Sequence, residues 1–185
     1  AEHTLAGKRT DYEKLLERVA FKDDGLECKS VGSWTRNKLA LIAYYLPAFA
    51  KLCQDRAGGW YFVDGFSGNG ANKTHGFPLA RGSALLGVTM EPPARLFLLC
   101  EINGPDAKIR RKRCEPDGER VQIAQGDANE VLPRELSRLE NLRLPGFCIL
   151  DPQGLELDWS TVKACAEHRT GPYPYELLIY FSTPG

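Results

Sequence analysis

This sequence predicts an α/β fold built on a mainly parallel sheet with helices on both faces, and three observations carry the prediction. Five short apolar runs recur at 60–63, 95–100, 121–124, 147–150 and 177–181. Helix-length polar or amphipathic stretches separate them. The runs are continuous rather than alternating, as expected of strands buried on both faces, and that condition belongs to parallel sheets.

Ahead of the first strand, Leu39, Ile42, Ala43, Leu46, Phe49, Ala50 and Cys53 recur at helical spacing, and Gly58-Gly59 closes the pattern. A long helix follows, with Ser33 or Thr35 placed to cap its start. Pro47 costs that helix one backbone hydrogen bond, which predicts a kink near 43–47 rather than two helices. Residues 1–32 are polar and charged, and are expected to form an arm with one capping helix at 11–20, where Leu15, Leu16 and Val19 share a face. Residues 33–185 then make the main domain. The fifth run is followed almost at once by Ser182-Thr183-Pro184-Gly185, so the sheet is expected to lack its last strands.

Bulk properties narrow the partners. Lysine plus arginine and aspartate plus glutamate stand at 24 each, so no overall field draws the chain to nucleic acid or an anionic membrane. Six cysteines are scattered without a CxxC, and Cys100 and Cys148 sit inside strand-like runs, which reads as reduced thiols packed as small hydrophobes. His3, His75 and His168 lack ligand neighbours at metal spacing, so no metal is expected. Neither a signal segment nor a membrane-length apolar run is seen, and the expected location is cytoplasmic.

In a doubly wound sheet ligands bind at the carboxyl ends of the strands. Here the first strand ends in Asp64-Gly65-Phe66-Ser67-Gly68-Asn69-Gly70, whose glycines permit a tight turn and a close approach to a ligand. The second ends in Glu101, suited to accept both hydroxyls of a ribose, or else a simple exposed strand-end carboxylate. The third ends at Gly126-Asp127-Ala128, where Asp127 is placed either to accept an adenine amine or to cap the next helix. The fourth ends in Asp151-Pro152-Gln153-Gly154, a carboxylate beside a carbonyl-exposing turn. An aspartate and a proline carbonyl suit an amine held in line for group transfer.

Asp64 to Gly70, Glu101, Gly126-Asp127 and Asp151-Pro152 resemble the cofactor and catalytic motifs of class I methyltransferases, a Rossmann-like fold. More narrowly, residues 38–49, Trp60 to Gly68, Gly82-Ser83, Gly126 to Asn129 and Leu150 to Gly154 resemble the three-Cys-motif partner proteins, TcmP, a mainly bacterial family paired with a radical-type three-Cys protein. The resemblance implies S-adenosylmethionine as cofactor, with Asp64, Gly65, Phe66, Gly68 and Gly70 at its methionine part. It places Glu101 and Ile102 at the ribose, Asp127 and Ala128 at the adenine, and Asp151 with Pro152 at the acceptor. The family turn is Asp-Pro-Phe-Gly, and Gln153 replaces its aromatic residue here.

The expected function is therefore an S-adenosylmethionine-dependent methyltransferase acting on an exocyclic amine of a nucleic-acid base. The alternative is a non-catalytic adaptor of the three-Cys partner. A C5-cytosine mechanism needs a Pro-Cys nucleophile, which is absent, and a nicotinamide site needs a differently spaced glycine turn. The basic run Lys108 to Arg113 reads as a solvated helix face rather than a phosphate contact. Lys73, His75 and Arg81 fall in a loop after the glycine turn that could gate the cofactor or meet the substrate, though the plain-loop reading is preferred. Trp34, Trp60 and Trp159 are stacking candidates, the last two better suited to core or interface packing.

Overall fold

The fold is seen in a computed structural model that describes residues 11–139, 143–168, 171–173 and 175–181. The expectations that rest on residues 1–10 and 182–185 lie outside the described residues. In chain order the elements are α1 (Asp11–Val19), β1 (Lys29–Ser30), α2 (Trp34–Ala57), β2 (Tyr61–Asp64), β3 (Ala71–Lys73), β4 (Ala80–Arg81), α3 (Ser83–Val88) and β5 (Leu96–Glu101). There follow α4 (Gly104–Cys114), a 3-10 segment (Glu115–Arg120), β6 (Val121–Gln125), α5 (Ala128–Ser137), β7 (Gly146–Leu150), α6 (Trp159–Glu167) and β8 (Tyr175–Ile179).

Five strands form one sheet in the order β6-β5-β2-β7-β8, and every pairing is parallel. That is the doubly wound order in which the chain starts in the middle, runs outward to one edge, and then returns to the other side of β2. The switch point lies between β2 and β7. Alternation along β2 supplies both faces of the core. Phe62 points with Phe97 and Phe147 toward Leu39, Ile42 and Leu46 of α2 and Leu85 of α3. Tyr61 and Val63 point with Leu98 and Cys148 toward Val131 and Leu132 of α5 and Val162 of α6. Burying each large apolar side chain contributes about 2 kcal/mol, so each helical layer is held by alternate residues of the same strands.

The long helix is continuous through Pro47, and it ends on Gly58, whose left-handed φ of 72° lets its N–H donate to Gln54 O at 3.1 Å. Its start differs from expectation. Ser33 occupies the cap position but makes no side-chain cap bond, and Thr35 is buried inside the first turn instead. The fifth strand also sits two residues earlier than its apolar run, at 175–179. Tyr175 packs edge-on against Tyr61, and Glu176 accepts a bond from Tyr45 of α2, so these two fix the register.

Two features were not expected. The segment after the glycine turn folds into a short antiparallel pair, β3 with β4, and β1 joins it in parallel to make a second, three-stranded sheet. A six-residue helix, α3, opens directly on Gly82. Through β1 and α1, whose Val19 is in the core beneath α2, the chain's first described segment packs onto the main sheet layer. All six cysteines are free thiols, and five of them are buried. Among the described residues no helix is long and apolar enough to cross a membrane.

Candidate functional site

A cavity of about 900 Å³ opens at the carboxyl ends of β2, β5, β6 and β7. The turns that end these strands form one wall. The other is Lys29 to Trp34, leading from β1 into α2. Gly65, Phe66, Gly68, Gly70, Glu101, Ile102, Asp127, Ala128, Asp151 and Pro152 all line it, so four separate strand ends converge on one space.

Asp64 is the exception. It is fully buried beneath the loop and is absent from the cavity wall. Its carboxylate accepts from the backbone N–H of Phe66 at 3.0 Å and from the Ser83 hydroxyl at 2.6 Å. Burial pushes its pKa up to about 6, against the opposing effects of the Ser83 hydrogen bond and the nearby Arg110 guanidinium. Asp64 therefore shapes the glycine loop from below. Ser83 reaches it because Gly82 N–H donates to Gly70 O at 2.7 Å, a backbone approach so close that a Cβ at Gly82 would stand 3.2 Å from that oxygen.

The loop itself is fixed on its far side. Ser67 donates its N–H and its hydroxyl to Cys100 O, at 2.9 and 2.8 Å. Arg110 of α4 donates to Ser67 O and, at 2.9 Å, to Gly68 O. Arg113 donates to Asn69 O at 2.9 Å and forms an ion pair with Asp24. Among the described residues, the N–H groups of Gly68, Asn69 and Gly70 have no partner within the chain.

Two residues of the basic run are thus anything but a solvated face. Arg110 is completely buried and the Arg113 side chain nearly so, whereas Lys108, Arg111 and Lys112 are exposed. The signal was present in the spacing, since Ala107, Arg110 and Cys114 fall on one helical stripe, and all three are buried.

At the β5 end, Glu101 accepts from the Asn103 N–H at 2.8 Å through one oxygen, leaving the other to meet a ligand. Ile102 is exposed beside it, and Ala128 closes the wall opposite. Asp127 does cap α5, accepting from the Asn129 N–H at 2.8 Å, while also lining the cavity; the two alternatives coexist in one side chain.

At the β7 end, Asp151 forms an ion pair with Lys38 of α2, a half-buried pair inside the cavity. Lys38 also lies 5.3 Å from the ring centre of Tyr180. Pro152 is buried, Gln153 is exposed, and Asn129 ties the following loop to α5. Its side chain donates to Glu156 O at 2.7 Å and accepts from Asp158 N–H and the Thr161 hydroxyl, each at 2.9 Å. Sequence reasoning gave no role to Lys38, Asn129 or Ser83 as single residues, because each acts on a strand end remote from its own position.

Trp34 is 62% exposed and lines the cavity mouth, packed so closely on Gly32 that a Cβ there would overlap its ring. Trp60 is a core residue donating to Pro92 O at 3.0 Å. Trp159 is 73% exposed, so it is not a core residue. Lys73, His75 and Arg81 do not line the cavity; the loop that carries them is the β3–β4 hairpin, and Arg81 donates to Arg18 O at 2.9 Å.

No family model matches the chain, and no curated protein matches it in sequence. Among solved structures, the assigned methyltransferase yhhF of Escherichia coli is similar at 13% identity, with 69% of this chain and 60% of that one covered and a TM-score of 0.44. An assigned RNA methyltransferase of Pyrococcus horikoshii is similar at 15% identity over 82% of this chain and 63% of that one, with a TM-score of 0.43. The catalytic domain of hMettl16, solved with the MAT2A 3'UTR hairpin 6, is similar at 13% identity over 88% and 52%, with a TM-score of 0.40. The chain spans about three-fifths of the length of the first of these. Likenesses this distant carry nothing about family, activity or substrate.

Proposed function

We propose that the cavity binds S-adenosylmethionine and that the domain transfers its methyl group to an exocyclic amine of a nucleic-acid base. One observation carries the reading: a glycine loop, a strand-end glutamate, a second strand-end aspartate and an Asp-Pro turn surround one space of about 900 Å³. The donor set fits the cofactor. Three unpartnered loop N–H groups suit its carboxylate, the free oxygen of Glu101 suits a ribose hydroxyl, and Ile102 with Ala128 offers apolar cover to a purine.

When bound, the cofactor supplies an electrophilic methyl group. Asp151 and the Pro152 carbonyl accept the two N–H bonds of the acceptor amine, which orients the nitrogen lone pair, and Asp151 or solvent takes the proton that leaves. Trp34 at the mouth gives a base a face to stack on. The motif resemblance supports placing the chain with the TcmP proteins, with a radical-type three-Cys protein as partner.

A second reading has its own observation. Because Lys38 already pairs with Asp151, an incoming amine must displace or share that carboxylate, which favours a cofactor-binding adaptor without turnover.

Calorimetry with S-adenosylmethionine and S-adenosylhomocysteine tests the first step. Micromolar binding is expected, and Glu101→Ala should weaken it about 30-fold, or roughly 2 kcal/mol. Absence of heat in the unsubstituted protein would sink the proposal. Asp151→Ala should keep affinity while abolishing methylation of a mixed RNA and DNA pool, and unsubstituted protein that binds without any turnover would favour the adaptor.

A further inference from the structure

The glycine loop is held by an arginine pair that belongs to the next structural unit. Arg110 and Arg113 lie one turn apart on α4, the helix that begins just after Glu101. Between them they engage three successive carbonyl oxygens, those of Ser67, Gly68 and Asn69. Arg110 is an unusual residue to find there. It is completely buried, two of its nitrogens have no partner among the described residues, and burial pulls its pKa down. A fully desolvated guanidinium is costly, and its position has to be explained by what it holds.

Peptide geometry gives the explanation. These peptide bonds are trans, so each carbonyl points away from the N–H of the following residue. Drawing the carbonyls of residues 67, 68 and 69 toward α4 turns the N–H groups of Gly68, Asn69 and Gly70 the other way. Those three residues line the cavity, and their N–H groups are the unpartnered ones. Positive φ at Gly68 (56°) and Gly70 (102°) lets the chain hold this arrangement. Successive N–H groups on one concave side make a seat for an anion. Neither arginine lines the cavity, so both act through the loop.

We infer that Arg110 and Arg113 are positioning residues that turn the 68–70 peptides into a carboxylate seat, and that they set selectivity for the amino-acid arm of the cofactor rather than for its nucleoside. The inference rests on the cofactor reading above. Its signature is a loss confined to ligands that carry the carboxylate.

The test compares S-adenosylhomocysteine with 5'-methylthioadenosine, which shares the nucleoside and sulfur but lacks the amino-acid arm, by calorimetry on the full chain. Arg110→Lys and Arg113→Gln should each weaken the first ligand about tenfold and the second less than about twofold. Asp24→Asn, which removes the ion pair of Arg113 but leaves its bond to Asn69 O, should change neither. Near-ultraviolet circular dichroism checks that each variant is folded, and Arg113→Gln keeps the question open to measurement if the buried Arg110 site does not tolerate change. Equal losses for both ligands would show ordinary structural support and overturn the inference while leaving the cofactor reading intact. Unsubstituted protein that binds neither ligand overturns both.

Discussion

The two ends of the cavity are built in different ways. At the β2–β5 end, the glycine loop is fastened from three sides, by Asp64 and Ser83 below, Cys100 O on the neighbouring strand, and two arginines of α4. At the β7 end, the turn after Asp151 is mostly exposed, and Asn129 alone supplies three side-chain bonds to the segment that follows. One end is determined by many buried polar contacts, the other by fewer, less deeply buried ones. The proposed cofactor reading suits that asymmetry, because tight fastening gives pre-organisation at one end and loose fastening lets a loop adjust at the other.

Four changes break or sharpen the contrast. Gly70→Ala should have the largest effect on ligand binding. A Cβ there would lie 3.1 Å from Leu85 Cγ and 3.2 Å from Arg110 Cζ, on a backbone with φ of 102°. The expected outcome is a loss of about 2 kcal/mol in urea unfolding and at least about 30-fold in S-adenosylhomocysteine affinity.

Next comes Asp64, whose pKa of about 6 lies above its unfolded value near 3.8. A raised carboxyl pKa means the protonated form is favoured in the fold, so the associated stability is present at low pH and is lost as pH rises through about 6. Asp64→Asn removes the titration. Relative to the unsubstituted protein, it should be more stable by up to about 3 kcal/mol at pH 8, with the advantage shrinking toward zero at pH 4. Unfolding curves at the two pH values check it, and an advantage that does not depend on pH would count against a buried titrating carboxyl.

Asn129→Ala should be milder and local. Loss of its three bonds is expected to raise amide hydrogen exchange at Asp158 about tenfold. Affinity for S-adenosylhomocysteine should stay within about twofold, a result that separates the two ends. Gln153→Ala should change stability by less than about 0.5 kcal/mol, since this residue is exposed.

What the sequence revealed follows the same division. The five-stranded sheet was legible because each strand is an apolar run and four of them are closed by an acidic or glycine-rich turn, and those four turns are also the cavity wall. Strand β8 was misplaced by two residues because Tyr180 and Phe181 extend the apolar run past the end of pairing. The small sheet was illegible. Strands of two or three residues, such as Lys29–Ser30 and Ala80–Arg81, have no periodicity to read. Arg110 was hidden by its neighbours, because six residues with five cations look solvated until the helical stripe through Ala107 and Cys114 is taken into account. Lys38 reaches Asp151 across 113 positions, a pairing that only the fold creates.

The pairing of Lys29 with Asn72 bears on the order of assembly. A parallel contact between strands about 40 residues apart has a closure entropy that must be overcome before it is rewarded. Helix α2 and strand β2 lie within that interval, so the wall formed by residues 29–33 is expected to close after they have docked and to open first. A protease would then find its earliest cut between α1 and α2, and an occupant of the cavity, touching both the wall and the glycine loop, would slow that cut by holding the late-forming piece in place.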